Sequence, residues 1–149
     1  MLVLFMFITI VVNCFLVSIA VLIHYEALSL LTNKLAKVRL PHRFKMILSV
    51  FGALCAHSVE VWIFAFAYYF MSKSGKFGFL KGDFDGSMLD CSYYSFITYS
   101  SLGLGDIAPS GYLRFVTGLE ALTGLVLISW TASFLFLEMQ KLWDNKKHR

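Results

Sequence analysis

Residues 98–106 read Thr-Tyr-Ser-Ser-Leu-Gly-Leu-Gly-Asp, a hydroxyl-rich approach to a Gly-x-Gly-Asp turn between two long apolar segments. Because Gly103 and Gly105 lack a Cβ, the backbone there can adopt dihedral angles that are closed to other residues, and consecutive carbonyl oxygens can then point the same way. A row of aligned carbonyl oxygens can replace the water that surrounds a cation. The segment therefore predicts a backbone site for a dehydrated cation.

The composition of the 149-residue chain indicates a membrane protein. Hydrophobic residues make up 58% of it, charged residues only 15%, and the mean hydropathy is +0.72. A soluble domain rarely has such a balance. No nucleophile and base can be assembled from the sequence. We therefore expect neither an enzyme, nor a cofactor, nor a nucleic-acid partner.

Three apolar runs are long enough to cross a bilayer, for which roughly 20 residues suffice. We assign the first span to residues 1–31, the second to residues 46–71 and the third to residues 112–142. A cleaved secretory signal is not expected at the start, since no basic residue precedes the first apolar run. The predicted fold is an all-α integral membrane protein.

The connection between the first two spans, residues 32–45, contains five basic residues and no acidic one. Short basic loops remain on the cytoplasmic side, so the N-terminus is expected outside the cell membrane and the tail at 143–149 inside. The same side chains either contact anionic lipid headgroups or merely set the topology. They are Lys34, Lys37, Arg39, Arg43 and Lys45.

The segment between the second and third spans is expected to begin with an extracellular loop, residues 72–90. Its glycine-rich part, residues 73–86, predicts an exposed loop without fixed regular structure. Residues 91–100 are too short to span and too apolar to lie freely in water, which favours a re-entrant helix with Asp90 as its N-cap.

The six residues that end the opening segment resemble the selectivity filter of potassium channels, whose family pattern is Thr-Val-Gly-Tyr-Gly-Asp or a near variant. In this chain the six places are taken by Ser101, Leu102, Gly103, Leu104, Gly105 and Asp106. The resemblance covers residues 46–142, an outer helix, a pore helix, a filter and an inner helix, and leaves the first span as an addition. It implies a homotetramer around a central pore that conducts potassium passively, with potassium as its only metal.

The resemblance also implies a role for each filter residue. The carbonyl oxygens of residues 101–105 would bind the ion, and Asp106 would raise the cation concentration at the outer mouth. Three positions depart from the family pattern, of which Ser101 keeps the hydroxyl of the family threonine and lacks only its methyl group. Leu104 stands where a tyrosine usually braces the filter with its hydroxyl, and Leu102 replaces a stiffer β-branched residue. Potassium preference is therefore less firmly implied than cation conduction.

Other residues are predicted to support the filter. Tyr93 and Tyr94 lie in the pore helix, where the family often has tryptophans that pair with the filter aspartate. Glu120 lies about eight residues into the third span, at the expected level of the filter. A buried carboxylate is costly in hydrocarbon and is a functional candidate by default. We favour bracing of the filter by Glu120 over direct ion binding.

The inner helix offers candidates for a hinge and a cavity. Gly124 falls close to the hinge glycine of the family, although a small residue there equally serves close helix packing. Thr123, Leu127 and Thr131 share one helical face at four-residue spacing and are predicted to line the inner cavity.

Further polar groups lie within the apolar runs. His57 and Glu60 are one turn apart and are expected to pair with each other or with Asn13, since two residues are too few for a metal site. We place His24 and Glu26 near the cytoplasmic end of the first span, facing headgroups or the basic loop. Among the cysteines, Cys14 and Cys55 are expected to be buried thiols, while Cys91 is either free or bridged to a neighbouring subunit.

Three alternatives to a potassium channel remain at this stage. One is a non-selective cation channel of the same architecture. Another is a small proton-coupled transporter that uses His57, Glu60 and Glu120 as a relay. The third is a non-conducting accessory subunit, suggested by the leucine-substituted filter. No span carries an arginine at every third position, so a voltage sensor is not expected.

Overall fold

The computed structural model describes residues 2–147, in which 78% of the chain is helical. One short helix packs against two of the three long helices, the third long helix packs against those same two, and two short strands pair with each other. In chain order the elements are α1 (Leu2–Lys37), α2 (His42–Ser74), β1 (Leu80–Gly82), α3 (Met88–Tyr99), β2 (Ile107–Pro109) and α4 (Leu113–Lys147).

The three long helices are each long and apolar enough to cross a membrane, with candidate spans at Val3–Lys37, Arg43–Ser74 and Leu113–Lys141. Many large apolar side chains on these helices are exposed, as lipid contact permits; Phe15 and Phe70 are examples. The predicted all-α membrane fold with three spans is confirmed.

The helix ends differ from the predicted boundaries. α1 continues to Lys37 and α2 begins at His42, so the connection shrinks from the expected 32–45 to residues 38–41. Pro41 forms the N-cap of α2, and a proline disfavours helical conformation in the residue before it, which separates the two helices. At the other end α4 extends to Lys147 instead of ending at 142. The last two residues of the predicted tail lie outside the described residues.

The outer loop is more ordered than its composition suggested. β1 and β2 pair antiparallel, with Leu80 opposite Pro109 and Gly82 opposite Ile107. A Cβ on Gly82 would collide with the carbonyl oxygen of Asp106, and the φ of Gly82 is +108°. The expectation of no regular structure at 73–86 is therefore wrong for residues 80–82, because glycine there permits a close approach of two strands.

The start of α3 also needs a correction. Ser87, and not Asp90, is the N-cap, and its hydroxyl accepts a 3.0 Å hydrogen bond from the Asp90 amide. Asp90 occupies the third helical position and accepts a 2.8 Å bond from the amide of Asp85. The sequence Ser-Met-Leu-Asp has the spacing of a capping box, a signal that points to this start.

The core forms where α3 packs against α2 and α4. Phe64 and Tyr68 of α2, Tyr94 of α3 and Leu127 of α4 belong to one buried cluster, which also includes Leu16 of α1. α3 is thereby fixed between the long helices, and its C-terminal end leads directly into residues 101–106.

Candidate functional site

The backbone after α3 turns its amides back toward that helix. The carbonyl oxygen of Ile97 accepts bonds from the amides of Leu102 and Gly103, at 2.9 and 3.1 Å, and the amide of Ser101 donates to Thr98 at 2.9 Å. These amides are thus engaged on the α3 side. The carbonyl groups of residues 101–105 take no part in these hydrogen bonds.

Every second residue of this segment has a positive φ. The values are +57° at Ser101, +52° at Gly103 and +83° at Gly105, and Ser101 is the only residue other than glycine with a positive φ among those the structure describes. In an extended chain successive carbonyl groups alternate between two sides. Inverting every second residue brings them to the same side, which glycine permits at little cost.

The side chains of the segment lie on an open face of the chain. Leu102 and Leu104 are 62% and 60% exposed, and residues 101–106 are exposed throughout. Backbone of this irregular kind is tolerated at membrane depth only where protein buries it or where it lines a wet cavity. Within one chain, residues 101–106 therefore form an exposed surface.

Tyr93 and Asp106 are joined directly. The Tyr93 hydroxyl donates a 2.6 Å hydrogen bond to Oδ2 of Asp106. This bond stabilises the carboxylate, so it holds the pKa of Asp106 below its usual value and raises the pKa of Tyr93. Asp106 also accepts the amide of Asp83 on its backbone carbonyl, which ties the end of the segment to the outer loop.

Glu120 of α4 is fully buried against α2 and α3. Its carboxyl group accepts a 2.5 Å bond from the Tyr68 hydroxyl of α2 and contacts the Ser95 hydroxyl of α3. Ser95 also donates to the carbonyl oxygen of Val61 at 2.8 Å. One carboxyl group thus links α2, α3 and α4. The sequence signalled Glu120, whereas Ser95 and Tyr68 carry no motif and were missed.

Tyr94 makes a separate link between α3 and α4. Its hydroxyl lies 2.9 Å from the Thr117 hydroxyl, which in turn is 3.3 Å from the hydroxyl of Tyr68. Tyr93 therefore faces the exposed end of the segment, while Tyr94 points into the core. Of the two tyrosines, Tyr93 contacts residues 101–106 through Asp106, while Tyr94 contacts α4.

The inner-helix residues lie differently from the expectation. Thr123 and Leu127 are buried inside the chain, so the face they share packs against the other helices and does not line an open cavity. A Cβ on Gly124 would collide with the carbonyl oxygen of Tyr99. The missing side chain therefore allows α4 to lie directly against the end of α3, as in close helix packing.

His57 and Glu60 pair, and a third residue joins them. Nδ1 of His57 lies 3.1 Å from Glu60 Oε2, and Nδ1 of His24 lies 2.9 Å from Glu60 Oε1. The placement of His24 near headgroups is thus wrong: α1 runs on for 13 more residues, roughly 20 Å, so His24 is central and fully buried. Glu26 is exposed. Asn13, the alternative partner, is buried, but its Oδ1 has no hydrogen-bond partner within residues 2–147.

Two hydroxyl groups complete this cluster. Thr131 Oγ1 lies 2.9 Å from Nε2 of His57 and 3.3 Å from Nε2 of His24, while the Tyr99 hydroxyl donates to Glu60 Oε2. Thr131 thus points into the cluster and also borders a cavity of about 630 Å³. No spacing in the sequence linked His24 or Tyr99 to His57, although an ionisable residue within an apolar run is by default a functional candidate.

The expectation of buried thiols is wrong for Cys14 and Cys55, while Cys91 is free, one of its two expected states. Cys14 and Cys55 are exposed on their helices, and Cys91 is fully buried. Burial raises the pKa of the Cys91 thiol to about 11. The thiol within this chain is therefore inaccessible to a neighbouring subunit.

Comparison with known proteins identifies a family. A family model described as ion channel matches residues 56–141, more than half of the chain. This range includes most of α2 and all of α3, residues 101–106 and β2, and it leaves α1 outside. No curated protein and no solved structure matches the chain.

Proposed function

The chain belongs to the ion channel family, and on that premise we propose that it is a potassium-selective channel whose filter is formed by the backbone of residues 101–105. Four copies, each with one such segment, would surround a single pore, with Asp106 at the outer mouth. Conduction would be passive. As a member of this family the chain is a multi-pass membrane protein, and the family points to a channel rather than to an enzyme.

The positive φ angles at Ser101, Gly103 and Gly105 carry the proposal. Together with the amides bonded back to Ile97, they favour carbonyl oxygens that point away from α3, toward the axis around which copies would assemble. Carbonyl oxygens in such a ring replace the water of a dehydrated cation. The partial negative charge at the C-terminal end of α3 supports a cation at the same place.

Rigid bracing supports selectivity, because a filter that keeps its oxygens in place can discriminate between ions of different size. Asp106 is held by Tyr93, and Glu120 ties α3 to the helices on either side. These contacts take over the bracing that Leu104 lacks. We assign Tyr93, Tyr94 and Glu120 to support of the filter.

For the topology we propose an extracellular N-terminus and a cytoplasmic C-terminus in the cell membrane. The basic residues at the α1–α2 connection support this orientation, since short basic segments stay on the cytoplasmic side. At that surface the same residues would contact anionic lipid headgroups. They are Lys34, Lys37, Arg39, Arg43 and Lys45.

Flux through liposomes that contain the purified full-length chain tests the proposal. We expect potassium flux down its gradient, a reversal potential close to the potassium equilibrium value under bi-ionic potassium and sodium, and loss of flux in Gly103→Ala. Alanine at a φ of +52° is strained, although its Cβ would meet no atom within 4 Å.

Gly118→Ala is the matched control. Gly118 lies in α4 without a positive φ, and its Cβ would also meet nothing within 4 Å, so flux should be unchanged. A reversal potential near zero would replace the selective channel by a non-selective one. Undiminished flux in Gly103→Ala, or no flux in any preparation of the intact chain, would contradict the pore assignment itself.

A further inference from the structure

We propose that His24, His57 and Glu60 form a binding site for one divalent transition-metal ion of the zinc type. One nitrogen of each histidine and one oxygen of Glu60 lie within 4.8 Å of one another. In a tetrahedral zinc site with bonds of about 2.0–2.2 Å, ligand atoms lie about 3.4 Å apart. The three side chains therefore need only small adjustments to hold an ion.

The ligand set has the chemistry that such an ion prefers. Neutral imidazole binds zinc, copper and nickel well, and a carboxylate adds the negative charge. Both His24 and Glu60 are fully buried, and the side chain of His57 is 14% exposed. Three protein ligands leave a fourth position for water, as in open zinc sites.

A count of protons favours a cation at this place. Five contacts join the two imidazole rings to their neighbours: each Nδ1 faces a Glu60 oxygen, Nδ1 of His57 also faces the Tyr99 hydroxyl, and each Nε2 faces Thr131 Oγ1. Each contact needs one proton. Two neutral rings supply two protons and the Thr131 hydroxyl supplies one, while the Tyr99 proton is directed at Glu60. Even when the Nδ1 proton of His57 is shared between Glu60 and Tyr99, one contact keeps lone pairs on both atoms while both rings are neutral, and either an added proton on a ring or a metal ion would supply the missing positive charge.

A metal ion removes this deficit. It would take the lone pairs of both Nδ1 atoms and an oxygen of Glu60, so no proton is needed on that side. Both Nε2–H groups would then donate to Thr131 Oγ1, whose two lone pairs match two donors. Ligating histidines usually donate their second N–H to such an outer partner, which orients the ring.

The site can be reached from outside the chain. His57, Tyr99 and Thr131 border the cavity of about 630 Å³, so an ion can approach from that side. The inference does not depend on potassium selectivity, because metal binding is measured without conduction.

Metal titration of the purified, chelator-treated full chain in detergent tests the site. With ZnCl₂ we expect one bound ion per chain by calorimetry and a higher unfolding temperature. With CoCl₂ we expect visible absorption bands of a tetrahedral Co²⁺ site, which excess Zn²⁺ abolishes. Absence of both the calorimetric signal and the Co²⁺ spectrum in the parent chain would overturn the proposal.

Substitutions at the three proposed ligands test which side chains bind the metal ion. His24→Gln, His57→Gln and Glu60→Gln should lose the Co²⁺ spectrum, and Thr131→Val should weaken Zn²⁺ binding about tenfold through loss of the outer partner. Glu26→Gln is the control, since Glu26 is exposed two residues from His24. Equal binding by the ligand variants would also overturn the site. If a ligand variant fails to fold, the parent Co²⁺ spectrum and Thr131→Val still decide.

Discussion

The Tyr93 hydroxyl reaches across 13 residues to donate a 2.6 Å hydrogen bond to the carboxylate of Asp106. Tyr93 lies on the exposed side of α3, and Asp106 ends the segment with alternating φ. The bond therefore couples the helix that precedes the segment to the residue that follows it. In the proposed filter, this phenol would supply the bracing that the leucine at position 104 cannot.

Tyr93→Phe should change how the channel responds to external pH. The Tyr93 bond holds the pKa of Asp106 below its usual value, so its removal raises that pKa and the carboxylate is protonated at a higher pH. Because the negative charge concentrates cations at the outer mouth, potassium current should fall at a higher external pH than in the parent. Current against external pH measures the shift.

Tyr69→Phe serves as the control for that experiment. The Tyr69 hydroxyl bonds Lys73 within α2 and does not contact Asp106, so its pH profile should match the parent. A Tyr93→Phe profile that coincides with the parent, or moves to lower pH, would contradict the role of the bond.

Glu120→Ala should destabilise the protein by about 3 kcal/mol, because it removes the carboxyl group that the buried hydroxyls of Tyr68 and Ser95 share and leaves a cavity in its place. Glu120→Gln keeps a hydrogen-bond acceptor and a similar volume, so it should lower the stability of the protein less than Glu120→Ala does. Thermal unfolding in detergent ranks the variants. We also expect Glu120→Ala to reduce discrimination against sodium in bi-ionic recordings.

An unfolding temperature of Glu120→Ala equal to or above that of Glu120→Gln would contradict the bracing role of Glu120. If Glu120 bound the permeant ion directly, both variants would change conduction alike, while Glu120→Ala would leave the unfolding temperature close to that of Glu120→Gln.

Local features of this fold could be predicted from the sequence, and long-range partners could not. The spans follow from the length of the apolar runs, and the turn at Gly103 and Gly105 follows from residues that tolerate positive φ. The contact between His24 and Glu60 joins residues 36 apart in the sequence and depends instead on the register between α1 and α2. The contact between His24 and Thr131 joins residues 107 apart and depends on the register between α1 and α4. Apolar periodicity does not encode that register.

Burial of single residues within membrane helices was equally hard to predict. A lipid-facing side chain and a core side chain are both apolar in a membrane protein, so the sequence could not separate exposed Cys14 from buried Cys91. Hydrophobicity marks a span, but it does not tell which side of that span meets protein.

Cys91 should resist alkylation in the folded protein. Its thiol is fully buried and its pKa is raised to about 11, so the reactive thiolate is scarce at neutral pH. Maleimide treatment in detergent followed by mass spectrometry should leave Cys91 unmodified until a denaturant is added. Modification of Cys91 in native protein, or a disulfide through it in a non-reducing preparation, would contradict its burial.

Gly124→Ala should push α4 away from the end of α3, because the new Cβ would collide with the backbone carbonyl oxygen of Tyr99, an atom that cannot rotate aside. We expect a loss of about 1–3 kcal/mol, the usual cost of overpacking a tight contact, and reduced potassium current. Gly118→Ala, in open space on the same helix, should be neutral or slightly stabilising. Equal unfolding temperatures for the two variants in a thermal melt would show that α4 does not need this close approach.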